Sequence, residues 1–295
     1  MGTLVAWHYP AVLFAKLADH TYVACGTGGK AWSCWGGKTG GTPLRRGPGS
    51  TLRADAIAEP NERANIKCYL VNGVCHQAAN RILLPAGITV RGAKGYWVSE
   101  ALYGPYGRER GFLGFCKAPF HQHPGVTGDL PECKEPAAPP DEEQAVAVRE
   151  AEEGESREMA DYLSRARSLY REVEPMVVAE GLDTAEARTF QMRLFDLLAD
   201  FRLGEGYMTS SDGQTAREVR GDFEARREAL EEAFFRHEIG VDTFVDEYNR
   251  LMEEYQYRTA EVLPEERYEA LFALPPGEPV VLGDPEVARA AYPDR

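Results

Sequence analysis

Asn72-Gly73-Val74-Cys75-His76-Gln77 marks the point where one type of structure gives way to another. Ahead of it, the apolar run Ile66 to Val74 reads as a β-strand. Behind it, Gln77-Ala78-Ala79-Asn80-Arg81-Ile82-Leu83-Leu84 reads as a helix, closed by Pro85-Ala86-Gly87. Cys75 therefore opens a helix, where unpaired N–H groups and the helix dipole favour a thiolate. Gly73 lets the backbone turn tightly and lets a substrate approach it. A thiolate in this position is a nucleophile that needs a base.

Outward from this junction the chain divides in two. On the N-terminal side, Thr21 to Cys25 reads as a strand, Gly26-Thr27-Gly28-Gly29 as a turn, and Lys30 to Trp35 as the partner strand of a hairpin. Residues 36–50, rich in Gly, Pro and Thr, read as a loop; Ile88-Thr89-Val90 and Tyr96-Trp97-Val98-Ser99 read as further strands. Residues 136–156, Pro-rich and then acidic, form the linker. Beyond it, Met159, Tyr162, Leu163, Ala166 and Leu169 keep helical spacing, as do Phe190, Leu194, Leu197, Leu198 and Phe201. Val219, Phe223, Leu230 and Phe234 mark a third helix, and Val241 to Tyr255 a fourth, with Gly240 between them as C′ residue. This pair reads as an antiparallel helical hairpin. Pro175 should end or kink the first helix. The expected fold is thus α+β: residues 1–135 with a small antiparallel sheet and a Cys-bearing helix, a linker over 136–156, an acidic all-α bundle over 157–273, and a tail over 274–295. The tail's apolar run Pro279-Val280-Val281-Leu282 is strand-like and free to dock on either module.

Charge divides the 295 residues at the same place. Residues 1–135 hold 15 Lys and Arg against 9 Asp and Glu, net +6; the remainder holds 18 against 38, net −20. Every lysine and every cysteine lies at or before Lys134. The overall balance of −14 argues against nucleic acid as a partner and leaves the acidic half as an obvious partner for the basic one. No apolar run is long enough for a transmembrane helix. Leu4 to Leu17 is interrupted by His8, Pro10 and Lys16 and lacks the marks of a signal peptide, so a cytoplasmic protein with reduced thiols is expected.

His20, at the entry of the Thr21–Cys25 strand, is the expected base for Cys75, with Ser33 on the neighbouring strand or Asn72 as the third member. His76 sits about 100° around the helix from Cys75 and is poorly aimed to be the base. It is instead expected, with Gln77, Trp32 and Trp35, to line the substrate site. Asn80 is a candidate to orient either histidine. No cofactor is expected. Cys116, His121, His123 and Cys133 form a weaker, zinc-binding alternative whose spacing matches no common finger. Gly26-Thr27-Gly28-Gly29-Lys30 lacks the Ser or Thr of a phosphate loop, since Ala31 follows.

Histidine on a strand, then more strand, then a cysteine opening a helix resembles the circularly permuted papain-like fold of NlpC-type and lecithin retinol acyltransferase-like enzymes. The likeness covers residues 15–110 and rests on His20 and Gly73-Val74-Cys75-His76. It implies a thiol-dependent hydrolase or acyltransferase acting on an amide, isopeptide or ester bond of a peptide or acyl substrate, with Cys75 as nucleophile and His20 as base. The helical module would then be a lid, an inhibitor or a partner-binding unit. The competing expectation is a non-catalytic interaction protein whose helical module binds a protein partner.

Overall fold

The computed structural model describes residues 2–11, 17–25, 30–34, 38, 40–58, 68–108, 157–166, 168–169, 172 and 184–295. Strands β1 (Gly2–Pro10), β2 (Asp19–Cys25), β3 (Ala31–Trp32) and β4 (Thr42–Gly49) form an antiparallel sheet in the order β3-β2-β1-β4. In the hairpin expected from the sequence, Val23 faces Trp32 and Ala24 faces Ala31. β1 and β4 are additions to the sequence reading. β4 lies inside the stretch expected to be a loop because it carries Pro43, Gly47 and Pro48. It is an edge strand, where a missing N–H forfeits no interior ladder bond. Gly49 lets it close on the 3-10 turn Leu84–Ala86, because a Cβ there would lie 3.1 Å from the Ala86 Cβ.

Helices α1 (Thr51–Ala58) and α2 (Cys75–Leu83) pack against β1 and β2, and α3 (Tyr96–Tyr103) packs on α2. Two expectations are corrected here. Within the run read as a strand from Ile66 to Val74, the described residues make a tight turn. The Asn72 Oδ1 accepts the Cys68 N–H at 3.0 Å, and the Asn72 N–H reaches the Cys68 carbonyl at 2.8 Å. Local side-chain bonding of this kind displaces a strand ladder. The apolar character that suggested a strand comes from Leu70 and Val71, both fully buried. Tyr96 to Ser99 is helical. All eight residues of α3 are buried, so the segment shows neither a period of 2 nor one of 3.6, and its aromatic content was misleading.

The C-terminal part follows the predicted apolar stripes. Residues 157–166 are helical, followed by α4 (Thr184–Leu203), α5 (Ser211–Phe235), α6 (Val241–Val262), α7 (Glu265–Phe272) and α8 (Pro285–Ala291). α5 and α6 form the expected hairpin. Gly240 is the N-cap of α6 with extended backbone rather than the C′ residue of α5; His237 takes the left-handed turn instead, with φ +62°. Pro175 and the linker lie outside the described residues. Residues 278–283 run extended without strand pairing and join both halves. Gln256 accepts from the Val280 N–H at 3.1 Å, Asn249 pairs with both the N–H and the carbonyl of Gly283, and the Tyr69 hydroxyl donates to the Leu282 carbonyl at 3.0 Å. One hydrophobic core runs from Leu4 to Tyr292 through both parts. Among the described residues no helix is long and apolar enough to cross a membrane.

Where α5 crosses the end of α3, Arg108, Arg220 and Arg227 meet Glu224, Glu228 and Glu231 with almost no solvent exposure. Arg108 reaches Glu224 and Glu231, each at 3.2 Å. The Arg220 and Arg227 guanidiniums also donate to the Leu102 carbonyl, at 3.1 and 3.3 Å, supplying the end of α3 with donors. Burial pushes the Glu224 carboxyl up, but Arg227, Arg220 and Arg108 together overcome this and hold it at about 2. Ionised Glu224 therefore stabilises the fold above the ordinary carboxylate range, and that contribution fades as pH falls from about 4.5 towards 2. Glu224→Gln leaves three buried guanidiniums facing two carboxylates. It should cost about 3–5 kcal/mol in urea denaturation at pH 7, with a smaller difference from the parent at pH 3. An unchanged midpoint at pH 7 would show that the cluster does not hold the two parts together.

Candidate functional site

Cys75 is the first residue of α2, and Val74 before it is extended with φ −126°. Gln77 reaches back, its Oε1 accepting the Val74 N–H at 3.1 Å, which secures the helix start. The Cys75 thiol is half-buried and points at the Asp19 carbonyl, 3.8 Å away. Burial pushes this thiol up. Thr21 and the His76 N–H favour the thiolate without cancelling the rise, and the Asp19 charge adds to it. Desolvation thus outweighs the helix N-terminus, and the resting form is the thiol.

β2 decides which side chains Cys75 can meet. Successive residues of a strand face opposite sides. Asp19 and Thr21 face α2; His20, between them, faces away. The His20 ring packs on Tyr9, its partner in register, with centroids 5.0 Å apart, and its Nε2 is 3.0 Å from the Ser33 Oγ. Trp7 and Tyr22 continue that same outer face. The structure therefore brings His20 and Ser33 together and keeps both on the side of the sheet away from Cys75.

The imidazole on the inner face belongs to His8. It lies opposite Thr21 in the β1–β2 register, and its Nδ1 is 2.7 Å from Asp19 Oδ2. The Asp19 carboxylate also accepts the Lys94 N–H at 2.8 Å, and its own N–H donates to the Lys94 carbonyl at 3.1 Å, so the pair is held from a second element. No local pattern marks His8 as a site residue; it comes into view only through β1 and the β1–β2 register that pairs it with Thr21.

His76, Gln77 and Asn80, the polar residues expected around the nucleophile, are fully buried and bonded within the fold. His76 lies 3.1 Å from the Asp19 carbonyl through Nε2 and 2.8 Å from Ser99 Oγ through Nδ1. Burial holds its imidazole down at about 4, so it is neutral. The Asp19 carbonyl then assigns the proton to Nε2, and the Ser99 hydroxyl beside Nδ1 also lies 2.7 Å from the Tyr96 carbonyl, to which it donates. Gln77 also donates to Ser99 Oγ and the Gly104 carbonyl. Asn80 donates to the Pro105 carbonyl at 2.7 Å and accepts the Val90 N–H at 2.8 Å. These side chains fasten α2 to α3 and its flanking loops, and none is open to a substrate. Trp32 is likewise committed, its ring in the core and its Nε1 donating at 3.1 Å to half-buried Asp55. Asn72 bonds Cys68 and, through Nδ2, the Arg108 carbonyl at 3.0 Å, rather than an imidazole.

Trp35 and the four residues of the zinc alternative, Cys116, His121, His123 and Cys133, lie outside the described residues. Among the described residues no group of three or more His, Cys, Asp or Glu is arranged to hold a metal. Comparison with known protein families, characterised proteins and solved structures finds no match for the chain.

The buried His76 has a measurable consequence. Its folded-state value of about 4 lies below the ordinary 6.5, so the neutral form is fully stabilising above pH 6.5 and that contribution is lost as pH falls through 4. The shift corresponds to about 3 kcal/mol. A His76→Gln variant, compared with the parent in denaturant titrations from pH 7 to 4, should show a correspondingly flatter decline. Parallel pH profiles for the two proteins would mean that His76 does not titrate with unfolding.

Proposed function

We propose that the chain carries out thiol-dependent acyl chemistry on an amide, isopeptide or ester carbonyl, with Cys75 as nucleophile and His8, oriented by Asp19, as base. The observation that carries this reading is the 2.7 Å His8–Asp19 pair on the same sheet face as the Cys75 thiol, which itself abuts the Asp19 backbone. His8 replaces His20 in the reading because strand alternation turns His20 outward. A thiol held protonated by burial reacts through proton transfer during attack rather than as a standing thiolate. His8 would take the thiol proton as sulfur bonds to the carbonyl carbon. The first N–H groups of α2, which have no intrahelical acceptor, would hold the oxyanion. The imidazolium would return its proton to the leaving amine or alcohol, and water or an amine would resolve the acyl-enzyme. The C-terminal part shares the core and bonds to Tyr69, in the segment before Cys75, through the Leu282 carbonyl and the Tyr292 hydroxyl, which supports a scaffolding role over that of a detachable lid.

The raised thiol and the closed bonding of His76 favour the second reading, a non-catalytic protein in which Cys75 is a packing residue. An activated aryl ester separates the two. Acyl chemistry predicts stoichiometric phenolate release and an acyl adduct on Cys75, absent in Cys75→Ser, slowed about 100-fold or more in His8→Ala, and little changed in His20→Ala. Iodoacetamide labelling of Cys75 should accelerate only above the free-thiol range of about 8.5. Failure to trap an adduct on Cys75, or equal loss in both histidine variants, would count against this assignment.

A further inference from the structure

Two carboxyl groups are shut inside the fold in opposite company. Glu224 lies among three guanidiniums and stays ionised. Glu100, on α3, is 2 % exposed and faces the phenols of Tyr96 and Tyr162. Its Oε1 accepts the Tyr96 hydroxyl at 2.8 Å, one turn back on the same helix, while its Oε2 has no hydrogen-bond partner. The Tyr162 hydroxyl, from helix 157–166, favours the ionised form, and Arg202 of α4 does so through its charge. The Arg202 side chain is also engaged elsewhere: its Nε donates to the Ala270 carbonyl of α7 at 2.7 Å, and its guanidinium lies 4.0 Å over the Trp97 ring. α2 contributes neutral Asn80, whose amide donates to the Tyr96 hydroxyl at 3.2 Å. On α5, Arg220 and Arg227 turn to Glu224 and to the carbonyls of Ala101 and Leu102. A buried carboxyl with so few donors keeps its proton in preference to carrying an unmatched charge. Burial accordingly pushes Glu100 up to about 7, against the pull of Tyr96, Tyr162 and Arg202.

The seam around Glu100 joins three elements. Tyr162 stacks on Phe201 of α4 with centroids 4.7 Å apart, and Phe201 packs on Trp97 of α3 at 6.3 Å. Helix 157–166 is held there by Met159, Tyr162, Leu163 and Ala166, all buried. α3 is fastened by the α5 arginines, and α4 runs for 20 residues. Helix 157–166 is short, and a helix of that length is marginal without its packing. It is the element that can part from the seam most readily.

We infer that Glu100 is a proton-operated clasp: its neutral carboxyl holds helix 157–166 against α3 and α4, and release of the proton to solvent frees that helix so that water reaches the carboxylate. The device is separate from Cys75 and needs none of the acyl chemistry. In the closed seam the carboxyl holds its proton more tightly than the ordinary value of 4.5 allows, so closure is favoured at low pH. It weakens as pH rises from 4.5 and levels off above about 7.

The test follows amide hydrogen exchange in the full-length protein, with rates corrected for intrinsic base catalysis. Protection of the 157–166 amides should fall about tenfold between pH 6 and 8, and these amides should exchange ahead of those of α6. Glu100→Gln, an uncharged copy of the protonated side chain, should hold their protection constant over the same range. The readout is the difference between the two proteins, which removes every other group that titrates in this range. Should Glu100→Gln fail to fold, carbon-13 titration of the Glu100 carboxyl in the wild type decides, with a midpoint near 7 and the Tyr162 ring resonances moving in step. A midpoint in the ordinary carboxylate range, the same pH dependence of protection in both proteins, or exchange of 157–166 only together with α6 overturns the inference.

Discussion

Six charged side chains leave water together where α5 meets α3, and much of the molecule is arranged around that fact. Each guanidinium of Arg108, Arg220 and Arg227 carries a desolvation cost that a carboxylate and a carbonyl must offset. Glu224, Glu228 and Glu231 match the charge, and the Leu102 carbonyl at the end of α3 accepts from both Arg220 and Arg227. α5 therefore has one favourable seat on the N-terminal part. Arg108 also donates its backbone N–H to the Asn72 carbonyl, while Asn72 Nδ2 returns to the Arg108 carbonyl. The turn that delivers Cys75 is in this way fastened to a helix more than a hundred residues downstream. The opposite charges of the two halves, visible in composition, meet partly here, in the interior rather than across an open surface.

The second constraint is the pleat of β2. A strand cannot present adjacent side chains to one face, so the choice between His20 and His8 as partner to Cys75 is geometric. Asp19 and Thr21 face inward, and His8 joins them through the β1 register. His20 faces outward with Tyr9 and Ser33. Below this layer, His76, Gln77 and Asn80 show how polar side chains become framework. Each satisfies buried donors and acceptors on two elements at once, and that satisfaction removes them from any role at a surface. Cys75 lies where the helix start, the inner sheet face and partial access to solvent coincide.

Much of the fold was legible from local pattern. The helical stripes of the C-terminal part, the β2–β3 hairpin and the helix beginning at Cys75 each carry a period or a turn signal that depends on few distant residues. The errors have a common cause. Wholly buried segments lose their period: Leu70 and Val71 in a tight turn look like strand, and so does the eight-residue α3. β4 looks like loop because only its place at a sheet edge makes its prolines admissible.

By itself the sequence determined that an α+β part precedes a helical part, and that a cysteine opens a helix just after a glycine. These are properties of neighbouring residues, fixed by backbone sterics and apolar spacing. Which imidazole shares a face with that cysteine, whether its thiol is raised or lowered, and whether the acidic helices stand apart or complete the core were decided only by tertiary structure. Each depends on strand register, on the depth of burial and on charges brought together from opposite ends of the chain, and none of these leaves a mark in local sequence.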